Sequence, residues 1–286
     1  MNKNTDIIFL SDSSISNPII HSQGLPLLEA ESDVRDNVTF LSFEELNTIN
    51  DWQELLKECE QRYPKIRFDQ IIIRRTKYLS GGIQNIIKGI DALRRHTGKS
   101  NTIIHCRSLL PTIIGVLYKV FLNRKAAVIY DNRGVVIDEE IYKGKWNKNS
   151  LIVKILRKVE KFLLKKCDHV VVVSNYFRKY LIEANPEINL IEKITVINNK
   201  TKVGSDKDIW SAKKDDQIRI VYSGSAAPWQ NIPGLVELFK IITDGSDIQP
   251  VILSHGGGTS AMGQPATGRV LPIPSRLKGF TPSVLP

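Results

Sequence analysis

The sequence is poor in the residues that build disulfide frameworks and metal centres. It has three cysteines in 286 residues, and they are widely spaced: Cys59, Cys106 and Cys167. Neither a C-x-x-C pair nor an H-E-x-x-H motif occurs, so the sequence predicts no metal site and no disulfide scaffold. Few and unpaired cysteines are typical of a reducing compartment, and we therefore expect a cytoplasmic protein.

Long hydrophobic runs are also missing. The chain opens on polar residues, and the four apolar residues that follow, Ile7 to Leu10, are too few for the core of a signal peptide. No stretch approaches the roughly 20 apolar residues that cross a bilayer. The sequence therefore predicts neither a secretory leader nor a membrane span.

Acidic residues are absent from the end of the chain. Residues 255–286 contain no Asp or Glu, but they hold 6 of the 18 glycines and 5 of the 13 prolines. Such a density of glycine and proline, without helical or strand periodicity, is typical of a segment that forms no packed structure. We expect the folded part of the chain to end near residue 254 and residues 255–286 to be a disordered tail.

The rest of the chain alternates regularly between two patterns. Short runs rich in Ile and Val predict seven strands, at 7–10, 38–43, 68–73, 102–105, 127–130, 169–174 and 194–197. Stretches of helical periodicity predict helices near 18–30, 51–62, 82–96, 109–122, 151–166 and 175–184. Strands that are apolar on both faces are typical of a parallel sheet covered on both sides. The sequence therefore predicts an α/β domain with a Rossmann-like, doubly wound parallel sheet over residues 1–197.

A second, smaller region follows the predicted domain. Residues 198–217 are polar and predict a linker, after which the rhythm restarts with a strand at 218–222, a helix at 231–243 and a strand at 251–253. One βαβ unit does not bury enough apolar surface to be stable alone. Residues 218–254 are therefore predicted to be the beginning of an incomplete second α/β domain.

Positive charge is in excess and is unevenly distributed. The net charge is +10, and residues 143–166 contain nine Lys or Arg and one acid, Glu160. Within 151–166, apolar residues recur at helical spacing and predict an amphipathic helix with its apolar side on the core and its lysines outward. Two interpretations of the lysines stay open, a solvated face or contact with an anionic membrane surface. No nucleic-acid motif accompanies the charge, so we expect no nucleic-acid partner.

Polar side chains stand where two central strands end. Arg107 ends the fourth strand, and Asp131 and Arg133 end the fifth, followed by the carboxylates of Asp138 and Glu139. In open parallel sheets, ligands bind beyond the carboxyl ends of the strands. These groups could hydrogen-bond a polyol or steer a phosphate, although an Asp–Arg pair that only stiffens the loop is the alternative. His105, on the fourth strand, is expected to be buried rather than catalytic.

Small residues follow the first strand of each predicted domain. Gln23 and Gly24 lie near a predicted helix start, and Gly224 and Ser225 follow the strand at 218–222. Such residues can present backbone N–H groups to a phosphate, but they serve turns and helix caps equally well. Neither a complete G-x-G-x-x-G nor a G-K-[ST] motif is present.

Taken in order, these motifs resemble bacterial family 4 glycosyltransferases of the GT-B fold. The similarity rests on His105-Cys-Arg-Ser108, Asp131-Asn-Arg-Gly134 with Asp138-Glu139, Lys193 to Asn199, and Tyr222-Ser-Gly-Ser225 with Trp229-Gln230. The Asp-x-Arg-Gly…Asp-Glu pattern is its most specific part, typical of a subgroup involved in surface polysaccharide assembly. The resemblance covers residues 5 to 254.

The resemblance implies transfer of a sugar from a nucleotide-sugar donor to a hydroxyl of a glycan or lipid-linked acceptor. It implies retention of anomeric configuration, no metal and no other cofactor, and a cytoplasmic enzyme that can be peripheral to the inner face of the plasma membrane. By the same resemblance, Asp131 and Arg133 would be catalytic, and Arg107, Asp138 and Glu139 would contact the acceptor. Contacts to the donor phosphates would come from Gln23, Gly24, Gly224 and Ser225.

The sequence departs from the family pattern in its second domain. Ser225 and Gln230 stand where many relatives have Arg and Lys, and the later pair of glutamates that grips the donor is missing. These departures predict that this chain, with an apparently truncated donor domain, is weak or inactive alone. The alternative hypothesis is a non-catalytic module that binds an acceptor, a membrane or a partner chain. A third hypothesis, that the protein binds nucleic acid, rests on the positive charge alone.

Overall fold

A computed structural model gives the structure of the chain and describes residues 5–35, 37–73, 79–97, 101–199, 218–225, 230–255 and 270–271. The chain divides into two compact units, Met1–Lys202 and Val203–Pro286. The boundary falls inside the predicted linker, of which residues 200–217 lie outside the described ranges.

The first unit is built on a seven-stranded sheet with the order β3-β2-β1-β4-β5-β6-β7. Every neighbouring pair is parallel. All seven predicted strands are present, with ends that differ from the prediction by a few residues, and the doubly wound α/β fold is confirmed. The strands are β1 Thr5–Ser11, β2 Val38–Glu45, β3 Ile66–Ile73, β4 Asn101–Arg107, β5 Ala127–Asn132, β6 His169–Val172 and β7 Ile194–Val196.

Seven α-helices connect or follow these strands. A π-helical turn, Ile20–Gly24, precedes the first of them, and a 3-10 turn, Leu46–Thr48, precedes the second. One helix, α5, was not predicted, because it is short and its acidic residues resemble those of a loop. The helices are α1 Leu25–Val34, α2 Ile49–Arg62, α3 Leu79–His96, α4 Leu109–Phe121, α5 Val136–Tyr142, α6 Leu151–Lys166 and α7 Asn175–Ala184.

The core lies on both faces of the sheet. Successive side chains of a strand point to opposite faces, and β1 divides accordingly. Ile7 and Phe9 join one buried cluster, and Ile8 and Leu10 join the other. Helix α4 packs so closely on the sheet that a Cβ at Gly115 would lie 2.6 Å from a cysteine sulfur of β4. Burial on both faces gives the central strands fixed positions at the carboxyl edge.

Helix α6 packs on the core with part of the predicted apolar side. Of the seven apolar residues in the sequence pattern, Leu163 is buried and Val159 packs against the core, as predicted. Val153 and Leu164, which were not in the pattern, are buried as well. The prediction was wrong for four exposed residues, because apolar side chains cover more of the helix than the side that meets the sheet: Leu151, Ile152, Ile155 and Phe162.

The second unit contains the predicted βαβ motif. Strand β8 (Arg219–Ser225) pairs in parallel with β9 (Gln249–His255) through helix α8 (Ile232–Thr243). A two-residue strand, β10 (Val270–Leu271), pairs antiparallel with β9 and falls within the predicted tail. The remainder of that tail beyond residue 255 lies outside the described residues. Apolar side chains of β8 and α8 such as Val221, Leu238 and Ile241 are exposed, as expected of a unit with little core.

Candidate functional site

The chain order of the sheet reverses between β1 and β4. Strands β2 and β3 lie on one side of this pair and β5 to β7 on the other. The loops that follow β1 and β4 therefore diverge and leave a crevice at the carboxyl edge, which is the usual ligand site of such sheets. Arg107 ends β4 at this crevice and is in register with Asp131 of β5. The sheet thus brings together two of the predicted site residues.

Asp131 lies at the centre of a group of three cationic side chains. Its side chain is 0% exposed, and Arg133 Nε lies 2.6 Å from its Oδ1. Arg107 Nη1 and His105 Nε2 each lie 3.6 Å from its Oδ2. A buried carboxylate is costly unless opposite charges accompany it, and here it has three such neighbours.

The neighbours of Asp131 set its charge state and that of His105. Burial opposes ionisation of Asp131, but His105, Arg133 and Arg107 outweigh burial and lower the pKa of its carboxyl. Burial likewise opposes protonation of His105, which Asp131 and Glu31 overcome together, so that its pKa rises to about 9. Glu31 Oε1, from α1, lies 3.2 Å from His105 Nδ1. His105 is buried as predicted, but it is a charged member of the cluster.

The cluster combines three cationic side chains with acidic partners. His105, Arg107 and Arg133 are cationic near neutral pH, and the carboxylates of Glu31 and Asp131 pair with them. The carboxyl of Asp12, in the loop after β1, also interacts with Arg107. The two guanidinium groups are the donors that this edge offers to an anionic ligand.

Arg107 and the residue after it bridge the two walls of the crevice. Arg107 Nη2 donates a hydrogen bond to Gln23 Oε1 at 2.7 Å, in the π-helical turn of the segment after β1. Ser108 Oγ donates to Asp12 Oδ2 at 2.6 Å, in the loop directly after β1. Gln23, predicted to contact the donor, and Arg107, predicted to contact the acceptor, therefore belong to one site.

The backbone of Ser108 is strained. Its φ of 83° and ψ of −177° lie in a region that is almost exclusive to glycine. Its N–H donates to Asp131 O at 3.1 Å, which holds the junction between β4 and α4 against β5. Strain of this kind costs about 1–3 kcal/mol and concentrates at functional sites. The strained backbone of Ser108 therefore also indicates a functional site at this edge.

Polar atoms that lack an aligned partner gather in the same place. Within the described parts of the chain, seven buried side-chain nitrogen or oxygen atoms have no hydrogen bond of good geometry. The pairs of Asp131 with His105 and Arg107, at 3.6 Å, are longer than a hydrogen bond, and Arg133 Nε, although 2.6 Å from Asp131 Oδ1, is not aligned with it. Each such atom costs about 1–3 kcal/mol unless a ligand or water satisfies it. All seven belong to six residues of the cluster: Glu31, His105, Arg107, Asp131, Asn132 and Arg133.

Arg133 also connects the cluster to the segment that follows β7. Its Nη1 donates to Asn199 Oδ1 at 2.9 Å, while its Nε faces Asp131. The side chain thereby links the end of β5 to the residues that follow β7 in the first unit. The planar guanidinium suits this double role, because it presents donors in several directions at once.

Asp138 and Glu139, predicted to contact an acceptor, lie in the first turn of α5. Asp138 forms an ion pair with Arg157 of α6 and is therefore engaged with the basic helix. Glu139 Oε1 lies beside Gly134, 2.6 Å from where a Cβ of that residue would be. A side chain at position 134 would therefore require the flexible Glu139 carboxylate to move aside.

Three of the predicted phosphate contacts have a structural setting that differs from the prediction. Gly24 does not begin a helix, because the π-helical turn runs directly into α1 and the N–H of Leu25 donates to the carbonyl of Ile20. Its phosphate contact stays a prediction, without a free helix N-terminus to support it. Gly224 and Ser225, predicted to follow a strand, are the last two residues of β8 in the second unit. Residues 226–229, the rest of that loop, lie outside the described ranges.

Glu31 and the positive charge of His105 were not predicted from the sequence. His105 precedes Arg107 by two positions, so both side chains point to the same face of β4, and this alternation was a usable signal. Glu31 is 74 residues away in the chain. Nothing in its local sequence indicates that α1 brings it to the site.

The described ranges contain neither a metal centre nor a membrane span. No group of three His, Cys, Asp or Glu side chains in them is arranged to hold a metal ion. None of their helices is long and apolar enough to cross a bilayer.

The solved structures that match this chain share little sequence identity with it. A UDP-N-acetylglucosamine 2-epimerase from Listeria monocytogenes matches with a TM-score of 0.53 and 14% identity, over 88% of this chain and 63% of that structure. The glycotransferase of kitacinnamycin matches with a TM-score of 0.47 and 10% identity, over 88% of this chain and 67% of that one. Arabidopsis thaliana UGT89C1, complexed with UDP-L-rhamnose, matches with a TM-score of 0.48 and 7% identity, over 90% of this chain and 70% of that one. The chain spans less than two thirds of the Listeria structure, and that likeness supports the fold.

Comparison with families is more specific. No curated protein gives a significant match. The family model of Glycosyltransferase Family 4 matches residues 55–200, just over half of the chain, including all of β4, β5 and the loop between β5 and α5. With the ordered strand-end motifs and the parallel sheet of the first unit, this match shows that the chain belongs to glycosyltransferase family 4.

Proposed function

We propose that the protein transfers a sugar from a nucleotide-sugar donor to a hydroxyl of an acceptor, at the carboxyl edge of β4 and β5. One observation supports the proposal: a buried cluster of ion pairs around Asp131, with two arginines in it, lies at the carboxyl edge of the sheet. The two guanidinium groups suit an anionic donor. The seven polar atoms without aligned partners fit a ligand rich in hydroxyl and phosphate oxygens.

In the proposed reaction, the bond between the anomeric carbon and the phosphate oxygen breaks, and a bond from that carbon to the acceptor oxygen forms. Negative charge builds on the departing nucleoside diphosphate, whose oxygen accepts the proton of the acceptor hydroxyl. Fixed cationic donors near that oxygen lower the barrier, because they stabilise the transition state more than the bound donor. Arg107 and Arg133 are the groups of the first unit that we assign to this role. Retention of configuration is part of the proposal.

Asp131 has an indirect role in this proposal. Its carboxylate is fully buried, and it faces the two arginines and His105 rather than open space. We assign to it the positioning of Arg107 and Arg133, whose guanidinium groups would otherwise be free to rotate. A charge already fixed in place costs no reorganisation during the reaction.

The donor is proposed to be a nucleotide-sugar. Gln23 and Gly24 in the first unit are proposed phosphate-binding residues, and Gly224 and Ser225 are those proposed within the second unit. The Listeria protein is named for a UDP-sugar, which makes uridine diphosphate sugars the first donors to test. The proposed acceptor is a glycan or a lipid-linked sugar in bacterial surface polysaccharide assembly, with Asp138 and Glu139 near its binding side. No cofactor other than the donor is proposed.

Donor turnover tests the proposal. The full chain is incubated with UDP-, GDP- and dTDP-sugars and a bacterial lipid extract as acceptor source, and release of the nucleoside diphosphate is measured. We expect slow release from one donor class, because the departures in the second domain predict a weak enzyme. The matched control is Arg107→Lys, which keeps the charge but loses the planar fork and should release less. No release from any donor, or equal release by the folded variant, would contradict the proposal.

A further inference from the structure

Helix α6 exposes an apolar stripe to solvent. Leu151, Ile155 and Phe162 are 72%, 50% and 47% exposed. At 3.6 residues per turn, their side chains fall within roughly 40° around the helix axis. We name these three residues the outer stripe. The opposite side of α6 supplies the buried residues, so the outer stripe has no role in the core of the first unit.

A row of lysines runs along one side of the outer stripe. By the same helical geometry, Lys154, Lys158, Lys161 and Lys165 fall together on this flank. Lys161 pairs with Glu187 at 2.7 Å. Within the described part of the chain, the other three lysines form no ion pair. The helix therefore presents apolar side chains and uncompensated positive charge on the same outward surface.

This combination distinguishes α6 from another exposed apolar site of the same unit. On α3, Ile83 and Ile87 are 56% and 62% exposed, but no row of lysines accompanies them. Exposed apolar residues are common on protein surfaces and need no special explanation. An apolar stripe bordered by lysines is the pattern of helices that lie in a membrane interface.

We propose that the outer stripe of α6 docks on an anionic bilayer. The apolar side chains enter the headgroup region, and the lysines bind lipid phosphates. Charge complementarity favours an anionic bilayer. A basic partner would repel the unpaired lysines, and an apolar partner would leave them without a counter-charge. The inference deepens the proposed function by giving it a partner surface, but docking requires no sugar transfer.

The topology gives the docked helix a definite relation to the site. Strands β5 and β6 are parallel, so the helix between them starts at the carboxyl edge and runs back. The Leu151 end of the outer stripe therefore lies at the same edge as Arg107 and Asp131. The Asp138–Arg157 ion pair also ties α5, which follows the Arg133 turn, to α6. Docking would hold the site's edge close to a hydroxyl carried on a lipid.

Cosedimentation with vesicles tests the docking. The full chain is mixed with vesicles of phosphatidylcholine and phosphatidylglycerol in equal amounts, or of phosphatidylcholine alone, without donor. We expect binding to the anionic vesicles that weakens with salt. Replacing the outer stripe with Leu151→Ser, Ile155→Ser and Phe162→Ser should lower affinity about tenfold or more. Changing the four lysines of the row to Gln should lower it roughly a hundredfold or more.

The matched control is Ile83→Ser with Ile87→Ser, which removes comparable exposed apolar surface from α3. This variant should bind the anionic vesicles as the unchanged chain does. Circular dichroism and melting temperature establish that each variant is folded before its affinity is compared. Equal affinity of the outer-stripe variant and the unchanged chain would overturn the proposal, as would absence of binding to either vesicle.

A fluorescent label on the stripe tests insertion independently of affinity. The three native cysteines are buried, so Ile155→Cys gives a surface thiol that reacts selectively with an environment-sensitive dye. Anionic vesicles should shift its emission to shorter wavelength, and the same label at Ile87→Cys should not respond. Binding without such a shift would mean charge contact alone and would overturn insertion. A shift that grows with protein concentration in the absence of vesicles would assign the stripe to a second copy of the chain instead.

Failure of docking and failure of the transferase proposal give different results. Turnover of a soluble donor without vesicles reports on the site alone, and vesicle binding without donor reports on α6 alone. A chain that turns over donor but ignores anionic vesicles would refute the docking and leave the transferase proposal standing. The converse result would refute the transferase proposal only.

Discussion

The first unit holds positive charge in two ways. At the carboxyl edge, Arg107 and Arg133 are withdrawn from solvent and face a buried carboxylate on β5. On α6, lysines stand in solvent beside exposed apolar side chains, and most of them are unpaired within the described residues. Burial demands a counter-charge and fixed geometry, whereas exposure demands neither. The same excess of basic residues therefore supports two roles, a rigid site and an adaptable surface.

The largest expected difference between the two regions is in stability. Asp131→Ala leaves three buried cations without their shared counter-charge and should lower the free energy of unfolding by about 3–5 kcal/mol. Urea denaturation monitored by circular dichroism measures the change. The control is Glu187→Gln, which removes the exposed partner of Lys161 and should cost little. A loss below about 1 kcal/mol for Asp131→Ala would contradict the description of a tightly coupled cluster.

The second largest difference between the two regions is expected in how stability depends on pH. His105 has a folded pKa of about 9, above its ordinary value of 6.5, because Asp131 and Glu31 overcome burial. The stabilisation is therefore complete below pH 6.5 and is lost as the pH rises through about 9. The loss should be roughly 3 kcal/mol at most. Urea denaturation at several pH values measures it.

The matched variant for this experiment is His105→Gln, which keeps a hydrogen-bonding side chain but does not titrate. It should be less stable than the unchanged chain at pH 6 and should show a flatter profile between pH 6.5 and 9. The same slope in both proteins would mean that His105 is not the titrating group.

The smallest effect is expected on the surface of α6. Changing Lys154, Lys158 and Lys165 to Gln removes charges that have no ion-pair partner in the described residues, and stability should change by less than about 0.5 kcal/mol. The melting temperature of the triple variant measures this. A large destabilisation would show that these lysines belong to the folded structure of the unit and would remove the contrast with the buried arginines.

Much of the architecture could be predicted from the sequence, because the strands are short apolar runs between helical stretches. The parallel sheet follows from strands that are apolar on both faces, such as β6. Asp131 and Arg107 could be placed at one edge because both stand where central strands end. Helix α5 was missed because its seven residues carry a weak periodic signal and several acids.

Other features depend on tertiary packing and could not be predicted. Glu31 reaches His105 only because α1 packs on this face of the sheet, which no local pattern indicates. Helical spacing alone does not tell which of the apolar residues of α6 meet the core, because that depends on the position of the neighbouring sheet and helices. The strain at Ser108 is invisible in the sequence, because serine is an ordinary residue before a helix. In each case the missing information is the position of a neighbouring element.

Donor turnover by Arg107→Gln tests the central claim most directly. The unchanged chain and the folded variant are incubated with the donor that gives nucleoside diphosphate release, in buffer without lipid vesicles and at equal protein concentration. If the Asp131 cluster is the site of sugar transfer, removal of the Arg107 charge should reduce release to the background of the protein-free reaction. Release by the variant at the rate of the unchanged chain would contradict the claim and place the chemistry elsewhere in the protein.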